Sequence, residues 1–303
     1  APYADALPRV VESLAAFVRS NGCNGEFAIE DLAYTTAQRR GQHNARLAIV
    51  ARGAGDFVER VDSFLAGERR LGIVQGRVAE SRPRMAFVYS GMGPQRWSMG
   101  RTLYDLEPVF RRVVDTCHGL YLEHTTHWSL KEELFGDESA SRINRTEISQ
   151  PAIFALQAAL TELWRSWGVV PDVVVGHSVG EIAAAWAAGA LTLEDAVQVS
   201  FHRGRLQQTQ AGRGRMLAVG LEREDAEELL KAYTGRVSIG ALNSSSSLTL
   251  SGEAETLEEI EKDLTAREVF ARPLNVEVPF HSPVMDFILP DLREALAGLS
   301  VGP

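Results

Sequence analysis

The residues best suited to chemistry lie at positions 176–180, which read G-H-S-V-G. Glycines around a serine are a weak signal alone, because they occur often by chance. Here the pattern follows the apolar run 169–175 and precedes an alanine-rich segment, which predicts the strand, turn and helix of a nucleophile elbow. The glycines leave room for a sharp turn, so we expect Ser178 Oγ to project at the strand end. The alternative is a serine that only caps the helix.

A serine hydroxyl needs a base within hydrogen-bonding distance before it acts as a nucleophile. Of the seven histidines, His281 is the best candidate, because it follows a predicted strand and comes after the serine in the chain, as the base does in α/β-hydrolase-type chains. A histidine at a strand end is more often structural, so its position alone does not assign it. His177 occupies the variable position of the elbow, where we expect its ring to point away from Ser178.

Two further features could bind charge. Residues 91–95, G-M-G-P-Q, form a glycine-rich turn after the apolar run 85–89. Such a turn can direct backbone N–H groups at a developing oxyanion. We expect the amides of Met92 and Val179 to donate to that oxyanion. The alternative is a loop without a chemical role. The planar guanidinium of Arg203 can form two parallel hydrogen bonds with a carboxylate. Without the other features, Arg203 would be interpreted as a surface residue.

The elements that must position these residues predict an α/β fold. The runs 85–89 and 169–175 are continuously apolar, which predicts buried parallel strands. Between and after them, helices are expected near 103–118, 150–167 and 182–190, and a further one begins near 192. We therefore predict a hydrolase-like core built from residues 81–214 and 277–303.

The spacing of apolar residues changes in the segment between these two parts of the core. From 216 to 276 the expected order is strand, helix, strand, strand, helix, strand, which is the arrangement of ferredoxin-like units. We call residues 215–276 the inserted subdomain. The first 80 residues predict a third piece, a small α/β domain with helices near 7–18, 29–39 and 55–67 and a strand near 45–51.

Composition excludes several classes of protein. The chain has 303 residues, 45% of them hydrophobic and 23% charged, which excludes a disordered or collagen-like chain. A net charge of −9 argues against broad nucleic-acid binding. Cys23 and Cys117 lack metal-ligand spacing and are expected to be buried thiols. No apolar run is long enough to span a membrane and no secretory signal is visible, so we expect a cytoplasmic protein.

The four chemical features, in this order, resemble the acyltransferase domains of type I polyketide synthases and the malonyl transferases of fatty-acid synthesis. Met92 precedes Ser178 by 86 residues, and Arg203 and His281 follow the serine by 25 and 103 residues. The G-H-S-x-G elbow is a motif of that family, and the turn at 91–95 is similar to its G-Q-G-x-Q turn. The resemblance covers nearly the whole chain.

The resemblance implies a mechanism. Ser178 would attack the thioester of an acyl-CoA while His281 takes its proton, and Arg203 would bind the free carboxylate of the acyl group. The acyl group would then pass to the phosphopantetheine thiol of an acyl carrier protein, with no cofactor and no metal. Further positions that match the family and are expected to contact substrate are Gln150, His177, Phe280 and Asn243.

The resemblance also suggests the extender unit and the surroundings of the chain. Phe280 precedes the histidine, as in the H-A-F-H of malonyl-using members, whereas methylmalonyl-using members carry Y-A-S-H. Val179 also fits the malonyl pattern, although the residues 278–279 depart from both. The first 80 residues look like the linker that joins a ketosynthase to its acyltransferase. This and the lack of an initiator methionine suggest a piece of a longer chain with an adjacent ketosynthase.

Two other functions stay open at this point. A serine hydrolase, such as a thioesterase, uses the same serine and histidine but passes the acyl group to water. A non-catalytic docking module of a megasynthase would keep Ser178 without using it.

Overall fold

A computed structural model describes residues 1–21, 28–274, 276–299 and 302. The chain divides into two compact units, Ala1–Pro83 and Arg84–Pro303. The sequence predicts this boundary between residues 80 and 81. Cys23 lies outside the described residues. In the part of the chain that is described, no helix has the length and apolar character that crossing a bilayer requires.

The first unit packs helices on a short antiparallel ribbon. Every fourth or third residue on one face of the first helix is buried, as an amphipathic helix requires: Leu7, Val11, Ala15 and Val18. A strand at the end of this unit was not predicted, because polar residues and a glycine interrupt its alternation. The elements are α1 (Leu7–Asn21), α2 (Ile29–Tyr34) with a π turn (Thr35–Arg39), β1 (Ala45–Ile49), α3 (Ala54–Leu65) and β2 (Ile73–Arg77).

The second unit contains a helical layer over the parallel pair β3 (Ala86–Tyr89) and β4 (Val173–Gly176). Its core is formed by apolar side chains of the helices together with the inward residues of both strands. The helices of this layer are α4 (Arg101–Leu106), α5 (Pro108–His124), α6 (Leu130–Phe135), α7 (Thr146–Ser166), α8 (Gly180–Ala187), α9 (Leu193–Gln208) and α12 (Leu289–Ala295).

The prediction that both parallel strands are buried is wrong for one of their faces. Phe87 and Val174 pack against the helical core, but Val88 is 74% exposed, and Val173 and Val175 are each 51% exposed. A continuously apolar strand predicts cover on both faces. Within the described residues the helices cover one face, so alternate valines meet solvent.

The inserted subdomain forms an antiparallel sheet with the strand order β6-β7-β5-β8 in the described residues. Two helices pack against this sheet and enclose a separate apolar core. The order of elements is the predicted ferredoxin-like one, although the last strand is shorter than expected. The elements are β5 (Arg215–Val219), α10 (Arg223–Leu230), β6 (Val237–Ser244), β7 (Ser247–Gly252), α11 (Ala254–Ala266) and β8 (Ala271–Pro273).

Tyr121 joins the three long helices of the second unit. It lies on α5, is 1% exposed, and its hydroxyl donates to the Pro151 carbonyl of α7 at 3.2 Å. The same hydroxyl shares a 2.6 Å hydrogen bond with Ser200 Oγ of α9. Cys117, one turn earlier, is buried as expected, and burial raises the pKa of its thiol to about 12. The helices that carry Gln150 and Arg203 are therefore fixed to each other through a buried polar contact.

We expect Tyr121→Phe to lower the free energy of unfolding by about 1–2 kcal/mol, because it removes the buried hydrogen bonds of the Tyr121 hydroxyl to the Pro151 carbonyl and to Ser200 Oγ. A thermal melt would show a fall of roughly 2–4 °C for a chain of this size. Tyr233→Phe is the control, since this half-exposed tyrosine makes no hydroxyl hydrogen bond among the described residues. Equal melting temperatures for both variants would contradict the role of the Tyr121 hydroxyl.

Candidate active site

Close packing of backbone on backbone shapes the turn that carries Ser178. A Cβ atom added to Gly176 would lie 2.3 Å from Cα of Glu181, and one added to Gly180 would lie 2.3 Å from the Tyr89 carbonyl oxygen. Both contacts are shorter than any side chain tolerates, so only glycine allows α8 to start against the ends of β3 and β4. Ser178 itself has a φ of 53°, the left-handed conformation that an L-residue adopts at a cost.

His281 also adopts a left-handed backbone, with a φ of 58°. It follows β8 and precedes a short 3-10 helix (Pro283–Ile288). Its Nε2 lies 2.9 Å from Ser178 Oγ, although the two residues are 103 positions apart. A hydroxyl and a ring nitrogen that could act as nucleophile and base are thus within hydrogen-bonding distance of each other.

The charge state of His281 suits a base. Burial lowers the pKa of the imidazole below its ordinary value of 6.5, and the positive charge of Arg203 and the neighbouring His177 lower it further. The carboxylate of Glu181 acts in the opposite direction. Because the neutral ring dominates at neutral pH, Nε2 is free to accept the serine proton.

Arg203 lies beside the same hydroxyl. It projects from α9, and its Nη2 donates to Ser178 Oγ at 3.4 Å, while its Nη1 donates to Oε1 of Gln150. Burial lowers the pKa of the guanidinium to about 10, and Glu181 opposes that shift. The group stays charged at neutral pH, so it can bind an anion next to the nucleophile.

The side chains of Gln207 and Gln150 form a chain of hydrogen bonds that ends at Arg203. Gln150 is 0% exposed and Gln207 7% exposed, and Nε2 of Gln150 donates to Oε1 of Gln207 at 2.5 Å. This contact fixes the amide of Gln150 so that its oxygen faces Arg203. Gln207 was not among the predicted site residues, although its position four residues after Arg203 places both on one face of α9.

The glycine-rich turn packs directly on the elbow. A Cβ atom on Gly91 would lie 2.8 Å from Nδ1 of His177 and 3.2 Å from its carbonyl oxygen. The next residue, Met92, packs against the buried cluster that includes Val179. Val179 is the residue before α8, and the first N–H groups of a helix have no partner within it. The predicted oxyanion donors thus belong to two loops in contact.

Two other predicted residues lie in different surroundings. Phe280 is 7% exposed and shares a small buried cluster with Met216 and Val278, against which Met92 also packs. Asn243 belongs to β6 and donates to Thr249 Oγ1 at 3.1 Å. Among the described residues, no hydrogen bond links Asn243 to the Ser178 site. In that same part of the chain, no group of three or more His, Cys, Asp or Glu could hold a metal ion.

Comparison with known proteins identifies the family. The model of the acyl transferase domain matches residues 86–302. The chain belongs to the acyl transferase domain family. Among its curated relatives is the polyketide synthase GfsE of Streptomyces halstedii, which is 36% identical over 301 residues. That alignment covers 97% of this chain but 8% of the relative, so this acyltransferase domain spans a small part of the length of the synthase.

Solved structures that are similar to this chain include acyltransferase domains of polyketide synthases. The acyltransferase domain from module 8 of the salinomycin polyketide synthase has a TM-score of 0.88 and 31% identity, over 99% of this chain and 70% of that one. The malonyl CoA-acyl carrier protein transacylase of Coxiella burnetii has a TM-score of 0.66 and 28% identity, over 72% of this chain and 69% of that one. These neighbours confirm the predicted fold class, a hydrolase-like core with an added α+β subdomain.

Gly180→Ala in this acyltransferase domain should destabilise the fold by about 1–3 kcal/mol, because the new methyl group meets the backbone of β3. We expect Ser178 to lose its reactivity towards a fluorophosphonate, measured by intact mass. Gly119→Ala is the matched control: it lies inside α5 with open space around it, so alanine should leave labelling unchanged and stabilise the helix by up to about 1 kcal/mol. Normal labelling of Gly180→Ala would contradict the packing argument.

The lowered pKa of His281 predicts the pH dependence of Ser178 labelling by the same reagent. The rate should stay constant as the pH falls towards 6.5 and decline only below that value, because protonated His281 cannot accept the hydroxyl proton. Arg203→Gln removes a positive charge that disfavours the imidazolium, so the decline should move to higher pH. Arg203→Lys retains the charge and serves as the control. An identical midpoint for Arg203→Gln and the unmodified chain would contradict this account.

Proposed function

We propose that this domain transfers a malonyl unit from coenzyme A to the phosphopantetheine thiol of an acyl carrier protein, through an ester on Ser178. The observation that carries the proposal is the position of Arg203, whose Nη2 is 3.4 Å from Ser178 Oγ. A guanidinium beside the nucleophile leaves donors for a carboxylate on the acyl group. A neutral acyl group would leave that half-buried charge without a partner.

In the first half of the reaction, Ser178 Oγ attacks the thioester carbonyl while Nε2 of His281 takes the hydroxyl proton. The amides of Met92 and Val179 stabilise the oxyanion of the tetrahedral intermediate. The intermediate collapses, the carbon–sulfur bond breaks, and His281 returns the proton to the departing CoA thiolate. The product is the malonyl ester of Ser178.

In the second half, His281 takes the proton of the phosphopantetheine thiol, and the thiolate attacks the ester carbonyl. The carbon–oxygen bond breaks, and Ser178 recovers its proton from His281. Acid and base chemistry alone balances both halves, so we propose that no cofactor takes part. Both thioesters are of similar energy, and the ester on Ser178 stores the acyl group between them.

Phe280 supports malonyl as the extender unit. Phe280 directly precedes His281, and its ring belongs to a buried cluster against which Met92 packs. We propose that the ring borders the space for the acyl group. An α-methyl branch on the acyl group would require that space. A hydrophobic pocket rejects one extra methyl group by roughly 10- to 200-fold, which sets the size of the discrimination we expect.

The relatives support a polyketide synthase as the protein in which this reaction takes place. The matched relative is a polyketide synthase, and one structural neighbour is by name a malonyl CoA-acyl carrier protein transacylase. We propose that the domain works in a polyketide synthase in the cytoplasm, with a ketosynthase in the same chain joined through the first unit.

Intact mass after exposure to equal amounts of malonyl-, methylmalonyl- and acetyl-CoA tests the proposal. We expect a malonyl adduct on Ser178, none on Ser178→Ala, and transfer of the label to a carrier protein. Arg203→Ala should lose the preference for malonyl over acetyl, and Phe280→Ser should gain methylmalonyl adduct. Rapid hydrolysis without labelled carrier would instead indicate a thioesterase, and no adduct at all would indicate a docking module.

A further inference from the structure

A hydrogen bond connects the inserted subdomain to the loop that carries His281. Ser238 lies on β6, and its Oγ donates to the main-chain carbonyl of His281 at 2.8 Å. The two residues are 43 positions apart in the chain and belong to different parts of the second unit. The partner of Ser238 is therefore the backbone of the residue whose ring meets Ser178.

That backbone needs an external anchor. The left-handed conformation of His281, with a φ of 58°, is sparsely populated for an L-residue and persists only where surrounding contacts hold it. The peptide group is planar, so a hydrogen bond to the His281 carbonyl restrains the whole peptide that follows its Cα. Restraining that peptide also restrains the direction of the Cα–Cβ bond, and with it the reach of the imidazole.

The strand β6 follows this loop over two consecutive peptides. Gly240, two residues beyond Ser238, lies at an irregularity in the pairing of β6 with β7. A Cβ atom added to Gly240 would lie 3.5 Å from the Phe280 carbonyl oxygen. Inside the loop, Ser282 Oγ donates to the Pro279 carbonyl at 2.7 Å. Ser238 supplies the polar contact that joins this closed loop to the sheet.

The ring of His281 depends on its main chain for orientation. Its Nε2 lies 2.9 Å from Ser178 Oγ, so a small shift of the main chain would break this contact. The main chain of His281 sets the position of its Cβ atom, and so how closely Nε2 can approach the hydroxyl. An error of about 1 Å in such a position can slow a reaction roughly a hundredfold.

We propose that Ser238 is a positioning residue for His281, so that the inserted subdomain helps to activate the Ser178 nucleophile. This inference rests on the proposed function in one respect, that His281 is the base for Ser178. It gives the subdomain a part in the proton transfer itself, in addition to any contact with the acyl group or the carrier protein.

The test compares Ser238→Thr with Ser238→Val, two variants of the same shape that differ by the hydroxyl. The measurement is the rate at which a fluorophosphonate labels Ser178, followed by intact mass. In that reaction Ser178 Oγ bonds to phosphorus, fluoride leaves, and His281 takes the hydroxyl proton. We expect Ser238→Val to react about five- to tenfold more slowly than Ser238→Thr, the effect of one lost hydrogen bond.

The pH profile separates positioning from a change in basicity. Ser238→Val should lower the rate at every pH without moving the midpoint of the decline. Ser245→Val, in the turn between β6 and β7, is the control and should react like the unmodified chain. If Ser238→Val fails to fold, Ser238→Ala replaces it and is compared with the unmodified chain.

Equal rates for Ser238→Thr and Ser238→Val, both fast or both slow with the fold intact, would overturn the inference. The labelling reaction involves neither malonyl-CoA nor carrier protein, so its outcome is independent of the acyl group. A large difference between the two variants without malonyl transfer would contradict the proposed function and leave the positioning role standing. Malonyl transfer with equal labelling rates would contradict the positioning role alone.

Discussion

The active site depends on the close approach of the first turn of α8 to the ends of β3 and β4. Gly180 lies against the Tyr89 carbonyl and Gly176 against the backbone of Glu181, with no space for a methyl group at either position. This contact forces the left-handed turn that projects Ser178, and it places the amide of Val179 at the start of a helix. Every other group of the site is arranged around a hydroxyl whose position backbone packing has already fixed.

Two separate parts of the second unit place side chains beside the Ser178 hydroxyl. The cluster of α5, α7 and α9 provides Arg203, which the buried amides of Gln150 and Gln207 hold in place. The loop after the inserted subdomain presents His281. The arginine and the histidine also act on each other, because the guanidinium charge helps to keep the imidazole neutral. The residue that we propose to bind the anionic group of the substrate therefore also helps to keep the imidazole neutral.

The sequence alone predicts the features that depend on local residue patterns and on the order of elements along the chain. The elbow at 176–180 and the ferredoxin-like order of the inserted subdomain follow from motifs and their succession along the chain. The order of the chain also favours His281, whose ring the structure places beside Ser178. The contacts made by Gln207 and Ser238 could not be predicted, because each joins elements whose approach only the folded chain defines. The exposure of Val88 escaped prediction for the same reason: an apolar strand shows its composition, but not which of its faces the rest of the chain covers.

The row of exposed valines, Val88, Val173 and Val175, has a consequence for how a molecule of these 303 residues behaves at high concentration. Apolar side chains on a sheet attract the same surface on another molecule, and open strand edges invite further pairing. The net charge of −9 opposes such encounters at low ionic strength. Added salt shortens the range of that repulsion to about 10 Å at 0.1 M and leaves the apolar attraction intact. The colloidal stability of this 303-residue molecule should therefore decrease as salt increases, the reverse of ordinary salting-in.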